Sequence, residues 1–171
     1  RAHPKFVEKL FAVEAPEIAS GVVMIKAIAR EAGSRTKLAV HSSDNNIDPV
    51  GSCVGQRGVR LNTVISELGG EKIDIIEWSE NVETFISSAL SPAKINKVTL
   101  FPEDNRAQIE VDPDQFSLAV GRGGQNARLA ARLTGWKIDI IPPASMMERT
   151  EKAPETTSEA ESGETKTAPT L

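Results

Sequence analysis

The chain has almost none of the residues on which disulfide-stapled, metal-stapled or membrane-spanning proteins depend. Cys53 is its single cysteine and His3 and His41 its two histidines, too few for an internal disulfide or a structural zinc site. A reducing, cytoplasmic setting is therefore expected. Tyrosine is absent and aromatics make up 4% of residues, which leaves little from which to build a stacking platform for bases. No run approaches the roughly 20 apolar residues of a membrane helix. No basic start followed by an apolar segment and a cleavage site is visible in this stretch. A Gly-x-x-x-x-Gly-Lys-Ser/Thr loop is missing, and the histidines have no nucleophile and carboxylate arranged around them. Neither an enzyme active site nor a cofactor is expected.

What is present is an ordinary soluble composition, 171 residues with 39% hydrophobic and 26% charged. The first residue is Arg1 rather than Met, so a piece of a longer chain is expected. The net charge of −4 argues at first against a polyanionic partner, but its distribution matters more than its sum. Residues 1–147 carry 17 Lys+Arg against 18 Asp+Glu, and the stretch 121–137 has Arg122, Arg128, Arg132 and Lys137 with no acid. Screening over roughly 8 Å lets such a stripe attract phosphate on an acidic chain. From Ala144 the composition turns to Glu, Thr, Ser, Ala, Pro and Lys, and residues 144–171 are expected to be a disordered acidic tail.

The rest contains an internal repeat. Lys72-Ile73-Asp74-Ile75-Ile76 recurs as Lys137-Ile138-Asp139-Ile140-Ile141, and each copy follows a glycine-rich loop, Val54-Gly55-Gln56-Arg57-Gly58 and Val120-Gly121-Arg122-Gly123-Gly124. The first glycine precedes the lysine by 17 residues in one copy and 16 in the other. Two short matches held in order at nearly equal separation indicate a duplicated domain.

Each unit reads as α-β-β-α-α-β. In the first, a helical stripe (Phe6, Val7, Leu10, Phe11, Val13) covers about 4–13 and strands cover 22–29 and 37–41. A short helix lies near 48–54, and a helix to Leu68 aligns Leu61, Val64, Ile65 and Leu68 on one face. A strand at 72–77 closes the unit. The second unit has a helix at about 81–90, strands at 94–100 and 107–111, helices at 113–120 and from the loop to Leu133, and a strand at 136–141. The expected domains are 1–80 and 81–143, each a three-stranded sheet covered on one face by three helices. The short connection between them predicts rigid packing.

A helix–Gly-x-x-Gly–helix element has a definite use. Glycines let a ligand backbone come close, and the second helix begins there with its unpaired N–H groups and positive dipole end. An anion such as phosphate is favoured. This is how KH domains clamp short single-stranded nucleic acid. Bases would turn to an aliphatic groove for which Val54, Ile65 and Val120 are candidate walls. The candidate RNA-binding set is Gly55, Gln56, Arg57, Gly58 and Arg60 in the first unit. In the second it is Gly121, Arg122, Gly123, Gly124, Gln125, Asn126 and Arg128. Gly121-Arg122-Gly123 also resembles the start of a dinucleotide fingerprint, but Asn126 stands where its third small residue belongs. Cys53 is read as a packing residue, Trp78 and Trp136 as core or seam, and Asp74 and Asp139, equivalent by repeat, as strand residues.

Longer runs carry a specific resemblance. Pro49-Val50-Gly51-Ser52-Cys53-Val54-Gly55-Gln56-Arg57-Gly58, Gly70-Glu71-Lys72-Ile73-Asp74-Ile75 and Leu118-Ala119-Val120-Gly121-Arg122-Gly123-Gly124-Gln125-Asn126-Ala127-Arg128-Leu129 resemble the bacterial NusA family of transcription elongation, termination and antitermination factors. The resemblance covers about 1–141. It implies an α+β fold of two tandem type II KH domains and RNA contacts at the two loops and their flanking arginines. It also implies that the family's amino-terminal polymerase-binding domain and S1 domain lie outside this stretch. Nascent single-stranded RNA is the expected partner, with RNA polymerase and transcription factors reached mainly through those other domains, and a monomer is expected. A protein-docking platform with only weak RNA binding is the alternative. The tail does not match the family's acidic carboxy-terminal repeats.

Overall fold

The computed structural model describes residues 1–143; the expected tail lies outside the described residues. Helix α1 (Pro4–Glu14) starts where Pro4 presets the first turn and His3 Nδ1 accepts the Lys5 amide at 3.2 Å. A one-turn helix α2 (Pro16–Ala19), too short to leave a periodicity, begins on Pro16. Strands β1 (Val23–Glu31) and β2 (Arg35–Ser42) form an antiparallel hairpin. Helix α3 (Pro49–Val54), capped by Asp48, and helix α4 (Val59–Glu67) then cross over to β3 (Lys72–Glu77), which joins β2 in parallel.

The second unit repeats the order with α5 (Val82–Ala89), β4 (Lys97–Phe101), β5 (Arg106–Glu110), α6 (Phe116–Val120), α7 (Gln125–Thr134) and β6 (Lys137–Ile141). Two edges fall inside the expected ones, for a common reason. Before β4 the chain is held by side chains: Gln115 Oε1 accepts the Lys94 amide, and Asn96 donates to Asp112. The Gln115 and Phe116 amides both donate to the Asp112 carbonyl, a turn that delays α6 to Phe116. The fold is α+β, two tandem type II KH domains, as the sequence indicates.

Where the two units meet, the structure departs from a sheet covered on one face only. The inner face of the first sheet (Val23, Leu38, Val40, Ile73) packs on Val7, Phe11, Cys53 and Val64 of its own helices. Its other face (Ala27, Ala29, Ala39, Ile76) belongs to a second cluster with Phe85, Ile86, Leu129, Ala130 and Leu133, which continues into Ala107 and Ile109 of the second sheet. The layers therefore run helices, sheet, helices, sheet, and β2 is buried continuously from Thr36 to Val40. Alanine permits this close approach of helix to strand. Strand register makes Lys97, Thr99 and Glu110 the counterparts of Ala27, Ala29 and Ala39. The polar set belongs to the outer face of the last sheet, where Lys97 and Glu110 pair across exposed strands at 3.8 Å.

Two buried polar arrangements fix this frame. Glu71, buried, takes both carboxylate oxygens to Arg30 at 2.8 and 3.0 Å and also accepts from Thr36 Oγ1 and the Gly33 amide. Although burial opposes its charge, Arg30, Thr36 and the Gly33 amide hold its carboxyl below the usual range. Lys37, fully buried, donates to the Ser91 carbonyl at 2.9 Å across the seam and to Asp74 at 3.3 Å, while burial pushes its pKa down. Asp74 also binds Arg35, and Asp139 binds Arg106 at the equivalent place, so both aspartates serve their strands. Trp78 and Trp136 pack against the seam-side core, and Cys53 is buried, its thiol pushed up to about 11 chiefly by burial.

Removing one partner of a buried ion pair leaves the other charge stranded, at about 3–5 kcal/mol. Glu71→Ala is therefore expected to cost that much in a guanidinium unfolding titration. A loss below about 1 kcal/mol, the worth of an exposed pair, would contradict the buried assignment.

Candidate nucleic-acid interface

The two glycine loops have the same backbone, residue by residue. Gly55 and Gly121 lie at φ/ψ 74/174 and 78/171, Arg57 and Gly123 at 54/24 and 59/24, and Gly58 and Gly124 at 77/13 and 74/13. Each loop is a 3-10 turn that ends as the cap of a long helix, α4 or α7. The first glycine is required by contact: a Cβ on Gly55 would meet Arg60 Cγ at 2.7 Å, and one on Gly121 would meet the Asn126 backbone nitrogen at 2.7 Å. The last glycine is less crowded: nothing lies within 4 Å of a Cβ on Gly124, and one on Gly58 would meet Asn62 Nδ2 at an ordinary 3.5 Å. Arg57 accepts a left-handed conformation that costs a non-glycine residue about 1–2 kcal/mol, and Gly123 meets the same demand without that cost.

Several candidate site residues are engaged in holding these loops. Arg60 donates to the Ser52 carbonyl at 2.7 Å and to Glu17 at 2.9 Å. Asn126, its counterpart, donates to the Leu118 carbonyl at 3.2 Å, which is the counterpart of Ser52, and to the Ala119 and Leu90 carbonyls at 3.0 Å. One tie, from the helix after the loop to the helix before it, is thus built twice with different side chains. Asn126 is completely buried, so its side chain is taken up by this tie and is not presented at the surface of the loop.

Gln125 and Arg128 cross the seam. Gln125 donates at 2.7 Å to both Glu31 and Ser34 Oγ, and Arg128 pairs with the other Glu31 oxygen while also donating to the Gly123 carbonyl at 3.2 Å. The Arg128 hydrogen bond, seconded by Gln125, lowers the Glu31 carboxyl to about 2. Gln56, Arg57 and Arg122 remain exposed, and among the described residues neither arginine has an ion-pair partner. Beside the loops, Val59 and Leu118 are exposed apolar residues, and Val54, Ile65 and Val120 are half-buried. Glu31, Glu17 and Ser34 are loop supports that the sequence does not reveal, because their partners lie 43 to 97 residues away. No local spacing marks them.

Residues 1–78 match the family model of the NusA-like first KH domain, and residues 82–148 that of the NusA-like second KH domain. This chain is a pair of KH domains of the NusA family. Among its relatives, the transcription termination/antitermination protein NusA of Halalkalibacterium halodurans is 52% identical over 140 residues, 82% of this chain and 37% of that protein. The NusA proteins of Thermus thermophilus and Mycobacterium tuberculosis are each 54% identical, over 81% and 82% of this chain and 36% and 41% of those proteins. The chain therefore spans little more than a third of the length of these NusA relatives. The crystal structure of APE1850 has the same fold, with a TM-score of 0.57 at 20% identity over 82% of this chain and 97% of that one.

Asn126→Asp would replace a donor aimed at three carbonyls by a buried anion. It is expected to destabilise the second domain by roughly 3 kcal/mol or more in thermal or chemical unfolding; an Asn126→Asp variant as stable as the parent would contradict the tie. The Glu31 carboxyl, lowered from 4.5 to about 2, should stabilise the seam fully above pH 4.5 and lose that contribution as pH falls toward 2. Carboxyl NMR titration checks this, and Arg128→Ala should return the midpoint toward 4.5.

Proposed function

We propose that this KH pair binds single-stranded RNA along its two glycine loops, as the RNA-reading part of a transcription termination and antitermination factor. The observation that carries the reading is the repeated loop backbone, matched at its first, third and fourth positions, with an exposed arginine in each copy and no crowding closer than 3.5 Å at the last glycine. Main-chain geometry so closely reproduced, on loops with different side chains, fits a ligand gripped by its own backbone. Phosphates would sit at the starts of α4 and α7, where helix N–H groups and dipole favour an anion, with Arg57 and Arg122 supplying charge. Bases would turn toward the aliphatic walls rather than onto aromatic rings.

The site set narrows accordingly to Gly55, Gln56, Arg57 and Gly58 with Gly121, Arg122, Gly123 and Gly124. Arg60, Gln125 and Arg128 act behind the loops. Nascent RNA is the proposed substrate, and RNA polymerase the proposed partner through parts of the relatives that this chain does not span. The names of those relatives support the transcription role, and a soluble cytoplasmic monomer divided near residue 80 fits it.

Fluorescence anisotropy with a short single-stranded RNA at two salt concentrations tests the reading. Gly58→Asp and Gly124→Asp each place a carboxylate where phosphate is proposed, and each should weaken binding by about tenfold or more while the unfolding free energy falls only by about 1–2 kcal/mol, the cost of a left-handed non-glycine residue. Arg57→Ala should reduce the slope of log K against log salt by about 0.7. Unchanged affinity in both aspartate variants would refute the loops as the site.

A further inference from the structure

We propose that Glu31 of the first domain is the positioning residue for the second glycine loop, so that this loop is competent only while the two domains are joined. The inference rests on the proposed phosphate-clamp reading of that loop and adds the residue on which it depends.

Each loop is backed by one carboxylate acting through an arginine of the following helix. In the first domain the support is internal: Glu17 of α2 holds Arg60 at 2.9 Å, and Arg60 lies against Gly55. The second domain has no counterpart of α2, and its carboxylate comes from across the seam. Glu31, at the end of β1, holds Arg128 with one oxygen and Gln125 with the other, the fourth and first residues of α7. Arg128 passes the restraint on to the loop itself through the Gly123 carbonyl at 3.2 Å. The need is greater here than in the first loop. Where the first loop has Arg57 and Gly58, the second has Gly123 and Gly124, two consecutive glycines with positive φ. A Gly-Gly pair is cheap to place in that conformation but loses the most chain entropy when fixed there. Half-exposed as it is, the Glu31–Arg128 pair adds little to global stability. The apolar seam already joins the domains, and the pair acts locally, at the start of α7 and on the Gly123 carbonyl.

The test uses the full chain and a 12-nucleotide single-stranded RNA of mixed sequence, read by anisotropy, in two backgrounds. Gly58→Asp leaves the second loop as the reporter, and Gly124→Asp leaves the first. Glu31→Gln should weaken binding roughly 3- to 5-fold in the Gly58→Asp background and leave the Gly124→Asp background unchanged. Glu31→Asp, which keeps the carboxylate, should lose less than Glu31→Gln. Equal losses in both backgrounds would mean general destabilisation and overturn the proposal. So would tighter binding, which would make Glu31 a competitor of phosphate. A second readout needs no RNA: the Gly124 amide, bonded to the Gly121 carbonyl at 3.1 Å, should exchange about tenfold faster in Glu31→Gln as its loop loosens. Faster exchange in a chain that binds no RNA would uphold the positioning and refute the phosphate clamp. Unchanged exchange would overturn the positioning itself.

Discussion

The molecule depends on burying the first sheet on both faces. A three-stranded sheet with helices on one side leaves its other side in water, and here that side is made of Ala27, Ala29, Ala39 and Ile76. Small side chains let α5 and α7 approach the strands closely, so the second domain's helices serve two sheets at once. Packing of this kind is non-directional in energy but strict in shape, and it sets the angle between the domains more firmly than any polar contact. Lys37 illustrates the cost of a polar group within such a seam. Its ammonium is buried, yet it meets the Ser91 carbonyl and Asp74, and its counterpart Gln108 lies on a face that no layer covers among the described residues.

The same logic explains why two copies of one unit have drifted apart at particular positions. Lys97, Thr99 and Glu110 replace the three alanines on the outer face of the second sheet. A sheet face with no covering layer carries polar side chains at little cost, and this face of the second sheet has no neighbouring layer among the described residues. Similarly, the buried Arg30–Glu71 pair closes the hairpin corner of the first domain, while register puts Trp136 at the position of Glu71.

Much of this is legible in the sequence, because its strongest signal is repetition. The Lys-Ile-Asp-Ile-Ile copies and the loops before them locate both third strands, both helix pairs and both glycine loops without any tertiary information. What the sequence leaves out at the loops has one cause. Arg60, Gln125, Asn126 and Arg128 read as RNA contacts because charge and amide groups next to a glycine loop suit phosphate. Their partners (Glu17, Glu31, Ser34, Leu90) come from elements that only folding brings near. A carboxylate such as Glu31 sits at the end of an ordinary strand, and nothing within ten residues of it marks it as a support. The second covering of the first sheet is hidden for a similar reason: alanines in a strand mark no particular neighbour until the packing is seen.

The two loops also differ in a way that bears on the proposed RNA contacts. Their backbones agree to within a few degrees, so main-chain groups meet a ligand in the same manner in both. The cation, however, leaves from different residues, Arg57 at the third position of the first loop and Arg122 at the second position of the other. Neighbouring residues in a tight turn project their side chains in different directions, so under the proposed function the two arginines would meet different parts of an RNA strand. Placing the arginine third obliges a non-glycine residue to hold a left-handed conformation, whereas placing it second leaves that conformation to Gly123. The first loop is thereby stiffer in itself and is tied within its own domain by Arg60 and Glu17. The second has adopted the less strained arrangement, and it takes its rigidity from Glu31 on the neighbouring domain.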